Sequence, residues 1–258
     1  VTLIEPSRSY HTCFFSNLYL GGLRNYASIS HRYDKLAGIE RLNVVHDWAH
    51  DIDIAARRIT LGSGARISYD RLILSPGIDL DYDSVPGYSV AGADIAQHAW
   101  KSATQVQHQR ALALAMKPGG TFVYVAPPDP SRCPPGPYER VSMLAHLFKT
   151  HNPTARIVVL DPKEKFSKQG LFQAGWEKHY PGMILWLPPS MSGGLERIDL
   201  DTMTFHTALE NFQADAASVV PAQRAAAIAQ RTGLTDDSGW CPIVPATMHS
   251  TMDVNIHV

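Results

Sequence analysis

An α/β fold built on a parallel sheet is what the sequence predicts, on three observations. Residues 1–6, Val-Thr-Leu-Ile-Glu-Pro, form an apolar, β-branched run closed by an acid and a proline, as a buried parallel strand does. Residues 121–161 run strand, helix, strand, a βαβ unit whose right-handed crossover makes the two strands parallel. Of the 258 residues, 45% are hydrophobic and 18% charged, a balance that supports a packed core and excludes a disordered chain.

The elements follow in order. Residues 7–34 are polar and aromatic with Gly21 and Gly22, a loop-rich stretch around one short helix. Residues 42–45 are a short strand. Residues 52–61 and 65–69 alternate as a β-hairpin turning at Gly62, Ser63 and Gly64. Residues 69–77, Tyr-Asp-Arg-Leu-Ile-Leu-Ser-Pro-Gly, are a buried strand ending in a Pro-Gly break. Residues 79–95 read as a linker and 97–116 as a helix. A second unit opens at Gly119 and Gly120, with strands over 121–126 and 156–161 around a helix over 138–151. Short strands are expected over 183–187, 197–201, 204–206 and 214–220, and a short helix over 225–231.

Charge and length exclude several functions. With 23 Lys+Arg against 24 Asp+Glu, the net charge of -1 gives no electrostatic reason to expect nucleic acid as partner. No apolar run approaches the roughly 20 residues of a membrane-spanning helix. Three cysteines cannot form a disulfide framework. Both ends are abrupt and strand-like, so the chain is expected to be a piece of a longer protein, incomplete at both ends.

Glu5 stands where dinucleotide-binding folds place the acid that holds ribose hydroxyls, although any strand can end in an acid. The strand ending at Ser75, Pro76 and Gly77 resembles the Tyr-Asp-x-Leu-Ile-x-Ala-x-Gly strand of two-dinucleotide-domain flavoproteins, where the backbone turns beside the flavin. A plain Pro-Gly stop explains it equally. At the junction of the second βαβ unit a nucleotide site would carry G-x-G-x-x-G. Residues 126–140 instead read Ala-Pro-Pro-Asp-Pro-Ser-Arg-Cys-Pro-Pro-Gly-Pro-Tyr-Glu-Arg, and proline offers no N–H to a phosphate. A rigid loop holding Cys133 ahead of a helix N-terminus can present a reactive sulfur. The helix dipole, Arg132 and Arg140 would then favour its thiolate. A structural cysteine remains the competing reading. Glu139 is either a proton carrier or a dipole-compensating residue. Cys13 lies in a polar-aromatic loop and Cys241 between Trp240 and Pro242; the spacings do not suit zinc, so no metal site is expected.

Four segments together resemble one family. They are residues 10–17 (Tyr-His-Thr-Cys-Phe-Phe-Ser-Asn), 132–140, 166–169 (Phe-Ser-Lys-Gln) and 239–242 (Gly-Trp-Cys-Pro). They look like the flavoprotein subunit of flavocytochrome c sulfide dehydrogenase. The resemblance implies a two-dinucleotide-binding-domain, glutathione reductase-like flavoprotein fold, shared with sulfide:quinone oxidoreductases. It implies FAD held covalently through a thioether at Cys13, with Glu5, Pro6, Val45, Ser75, Pro76 and Gly77 along the cofactor. It implies that Cys133 is half of a redox-active disulfide attacked by sulfide, with Glu139 as proton carrier, and that electrons pass to a cytochrome c subunit. Haem then belongs to that partner alone, in a periplasmic heterodimer. The Gly-rich FAD loop, the second redox cysteine and a Gly-Asp-Ala turn of the family are expected outside these 258 residues, and Cys241 does not align with the second cysteine.

The domains expected on this basis are 1–85 for part of the FAD-binding domain, 86–227 for the second domain carrying the Cys loop, and 228–258 for a return to the first. The competing functions are a sulfide:quinone oxidoreductase, an NAD(P)H-dependent disulfide reductase and a non-catalytic fragment with structural cysteines.

Overall fold

Four parallel strands form the centre of the larger part of the chain, seen in a computed structural model that describes residues 1–101 and 103–258. Their order is Ile184–Leu187, Arg156–Leu160, Thr121–Val125, Ala216–Val219. The first βαβ crossover is the helix Gly136–His151, and Val123 pairs in register with Val158. Ile157, Val159, Phe122 and Tyr124 are buried, as both-face-covered strands require. The apolar runs of these strands therefore read as the sequence predicts.

The chain divides into two compact units. One comprises Val1–Tyr10, Ser30–Asp79 and Arg224–Val258; the other comprises His11–Ile29 and Leu80–Gln223. The second differs from the expected 86–227 domain by taking in residues 11–29. The helix Cys13–Leu20 packs on the helices Ala103–Ala115 and Gly136–His151 of the same unit. Residues 80–95 are not a linker either. Val85, Tyr88, Ala93 and Ala96 belong to its core, Tyr88 Oη donates to the Ala96 carbonyl at 2.6 Å, and a Cβ on Gly87 would meet the Ile198 carbonyl. Their proline, glycine and serine content reads as a linker, whereas spaced apolar residues dock a non-helical segment. Among the elements not foreseen are the helix Gln169–His179 and the strand Asn211–Gln213, which completes an antiparallel meander with Leu195–Asp199 and Thr204–Thr207.

In the other unit Thr2–Ile4 pairs in parallel with Asn43–Val45, so the first strand is parallel but only half-buried. The expected strand over 52–61 is broken, and Ala49–Asp53, Arg58–Leu61 and Arg66–Ser68 make a three-stranded antiparallel sheet. The Gly-Ser-Gly turn is present, with Gly64 N–H donating to the Leu61 carbonyl at 2.9 Å. The strand expected over 69–77 shrinks to Leu72–Ile73, paired with Ile256–His257, and Ile73 is 79% exposed. Its apolar run marks contact with the core at Leu74 rather than a strand covered on both faces.

Candidate active site

The prolines of residues 127–137 end in a tightly specified turn. Cys133 adopts a left-handed backbone with φ of 59°, a conformation that costs a non-glycine residue on the order of 1 kcal/mol. Its carbonyl accepts the Gly136 N–H at 2.8 Å. Gly136 starts the helix, with Pro137 in its first turn where a missing N–H costs nothing. A Cβ at Gly136 would stand 2.8 Å from Trp100 Cη2 and 3.2 Å from Cys133 Sγ, so only glycine lets sulfur and indole close over the helix start. The loop is anchored by Arg132, whose backbone N–H donates to Gln223 Oε1 at 2.8 Å and whose Nη2 donates to the Trp100 carbonyl at 2.6 Å.

Cys13 is the first residue of the helix Cys13–Leu20, not a loop residue, and it is exposed, as is Cys133; both are free thiols. One turn on, Asn17 Nδ2 donates to Glu139 Oε2 at 2.9 Å, which holds the half-buried Glu139 carboxylate in place. Arg140, 4% exposed, extends Nη2 to the Ala99 carbonyl at 2.7 Å and to Ser16 Oγ at 3.1 Å. Its guanidinium lies 5.5 Å from the Trp100 ring centroid and within electrostatic reach of Cys13, Cys133 and Glu139. Thus Cys13, Cys133 and Glu139, 126 residues apart at their extremes (139 minus 13), are gathered around one buried cation.

The expectation that the helix start and arginines favour the Cys133 thiolate needs correction. Covering of the sulfur, then the Glu139 carboxylate and Cys13, push its thiol up; the Gly136 N–H and Arg132 pull the other way less strongly. Arg132 spends its guanidinium on the Trp100 carbonyl, and the reaching carboxylate outweighs it. Burial pushes the Arg140 guanidinium down, opposed by its neighbours.

The remaining residues expected along the cofactor lie in the other unit. Glu5 N–H donates to the Val45 carbonyl at 3.0 Å, and Glu5 Oε1 accepts the Ser7 N–H at 2.8 Å. Pro6 follows, half-buried, and Val45 packs on that unit's core. Ser75, Pro76 and Gly77 are exposed, Gly77 turning with φ of 76°. Cys241 packs half-buried on the same core, and burial with Asp236 pushes its thiol up. Among the described residues no group of His, Cys, Asp or Glu has the arrangement of a metal site. Asn17, Trp100 and Gly136 escaped the sequence reading. Spacing of four along a helix puts Asn17 on the face of Cys13, a usable signal; Trp100 has none.

Asp161 ends the second strand of the βαβ unit, where an acid could hold a ribose. Here it is fully engaged: Tyr138 Oη donates to Oδ2 at 2.6 Å, Trp186 Nε1 to Oδ2 at 2.9 Å, and Lys163 Nζ lies 2.8 Å from Oδ1. Tyr138 stacks on Phe166 at 3.6 Å, with Trp176 and Phe172 behind.

Comparison with solved structures places this fold. The sulfide:quinone oxidoreductase of Aquifex aeolicus superposes with a TM-score of 0.76 at 16% identity, over 99% of this chain and 61% of that one. The NAD-dependent persulfide reductase of A. fulgidus gives 0.74 at 14%, over 100% and 47%, and the ferredoxin reductase of Rhodopseudomonas palustris 0.71 at 17%, over 100% and 60%. The chain thus spans about three-fifths or less of the length of these proteins. The two-dinucleotide-domain flavoprotein fold is the one present. Residues 104–221, which carry the Cys133 loop and Glu139, match the family described as sulfide dehydrogenase (flavocytochrome c) flavoprotein chain, central.

Proposed function

We propose that this chain forms the flavin-binding part of an enzyme that oxidises sulfide to sulfur or polysulfide and passes the electrons to a cytochrome c subunit in the periplasm. The observation that carries the reading is the gathering of Cys13, Cys133 and Glu139 around Arg140 in one unit. FAD would be held by a thioether to the exposed Cys13, with Glu5, Pro6, Val45, Ser75, Pro76 and Gly77 as the further cofactor residues that the family resemblance implies, and it would supply an acceptor of two electrons that can release them singly. Cys13 fits this role because its thiol is exposed and free.

Cys133 supplies one sulfur of a disulfide with a second cysteine. Hydrosulfide attacks that disulfide, the S–S bond breaks, and a persulfide and a thiolate result, as in ordinary thiol–disulfide exchange. The electron pair leaves through the thiolate. Glu139, oriented by Asn17, receives the proton released from the persulfide. Haem lies in the partner. The likeness to the Aquifex aeolicus enzyme favours a quinone acceptor as the second reading. Among the described residues no helix is long and apolar enough to cross a membrane.

Anaerobic mixing of the intact protein with sulfide tests the reading: flavin bleaching is expected in the wild type and its loss in Cys133→Ser with flavin retained. Bleaching that persists in Cys133→Ser removes that cysteine from the reaction. Reoxidation by cytochrome c rather than by a soluble quinone separates the two acceptors.

A further inference from the structure

Arg140 has more hydrogen-bonding capacity than the fold uses. Its side chain is buried, Nη2 is engaged by Ala99 and Ser16, and Nη1 has no partner. The ion pairs of the described residues do not include it. Two further buried polar atoms around it are unpartnered: Trp100 Nε1, on the ring that lies under the guanidinium, and Tyr124 Oη, whose ionisation would act on Arg140 directly. A buried cation with an idle N–H is costly, since desolvation of a charge is repaid only by a partner. Folding alone gains nothing from leaving it so.

We propose that Arg140 Nη1 forms the anion position of the site, holding a small sulfur monoanion such as hydrosulfide against Cys133 Sγ. The proposal rests on the sulfide-oxidising reading and adds to it the residue that binds the substrate. Three groups make the position necessary. Glu139 acts on Cys133 with negative charge, so an approaching anion meets repulsion that the buried Arg140, within electrostatic reach of Cys133, offsets from inside. Arg132 is tied to the Trp100 carbonyl. Cys133 is exposed and Arg140 is buried, and a Cβ on Gly136 would meet both Cys133 Sγ and the Trp100 ring that lies 5.5 Å from the Arg140 guanidinium.

The test compares two alkylating reagents of similar size, anionic iodoacetate and neutral iodoacetamide, on Cys133 of the reduced, flavin-loaded protein, with modification read on the Cys133 peptide by mass spectrometry. A change in thiolate fraction affects both reagents alike and cancels in their ratio. In Arg140→Gln the iodoacetate-to-iodoacetamide rate ratio should fall roughly five-fold from the wild type, the effect of one unit charge at about 4 Å under water-like screening. Arg140→Lys should keep most of it. A ratio within two-fold between wild type and Arg140→Gln overturns the proposal and leaves Nη1 to a buried water. If Arg140→Gln does not fold, the wild-type ratio is compared with that of the urea-unfolded reduced chain, and equal ratios overturn it as well. Failure of the sulfide-oxidising reading registers separately, as a wild-type flavin that sulfide does not bleach.

Discussion

Asn17 Nδ2 and Glu139 Oε2 meet at 2.9 Å across 122 positions of sequence, and this bond joins the helix of Cys13 to the helix that follows Cys133. It does so from the same face of each helix as the reactive-type residues: Asn17 is four residues from Cys13, and Glu139 is in the first turn after the loop. One interaction therefore sets both the carboxylate orientation and the spacing of the two cysteine-bearing segments.

A double-mutant cycle of Asn17→Ala and Glu139→Ala should give a coupling energy of about 1–2 kcal/mol, as for a partly covered hydrogen bond to a charged acceptor. Urea unfolding of the four proteins measures it, and additivity within a few tenths of a kcal/mol would show that the bond orients without stabilising.

Gly136→Ala should destabilise the unit by roughly 1–3 kcal/mol, because the new methyl meets the Trp100 ring and the Cys133 sulfur and one must move. Thermal unfolding reads the loss, and the alkylation rate of Cys133 should change with it. A variant of wild-type stability and reactivity would mean that Trp100 swings aside freely.

His98, 3% exposed, is driven neutral: burial first, then Lys101 and Arg140, push its imidazole down to about 4 from 6.5. Its Nδ1 accepts the Trp100 N–H at 3.0 Å, which the neutral ring allows. With the folded value below the unfolded one, the contribution is present above pH 6.5 and lost as pH falls towards 4, by up to ~1.4 kcal/mol per pH unit. Denaturation of wild type and His98→Gln across that window should show the steeper decline in the wild type. Parallel declines would assign the acid sensitivity elsewhere.

Asp161→Asn should cost about 3 kcal/mol, since it leaves the covered Lys163 ammonium without its counter-charge and with only the Pro127 carbonyl to accept from it. The engaged carboxylate also predicts that NADH neither raises the unfolding temperature nor bleaches the flavin at a useful rate. NADH stabilisation of the wild type would show that Tyr138 and Trp186 yield Asp161 to a ribose.

The βαβ core was legible in the chain because periodicity and β-branched runs are local signals: Ile157, Val158 and Val159 form a covered strand whatever surrounds them. The proline loop was legible too, since prolines exclude a phosphate cradle by covalent structure alone. Tertiary packing decided that residues 11–29 join residues 80–223, that residues 80–95 are core, and that Arg140 is buried with one N–H to spare. It also reversed the expected tilt of Cys133 towards its thiolate, because Glu139 and the covering of the sulfur outweigh arginines whose direction no spacing reveals. The reason is physical: a sequence records which positions must leave water, while the direction of each side chain and the partners that meet it are set by packing, as when Asn17 meets Glu139 across 122 positions.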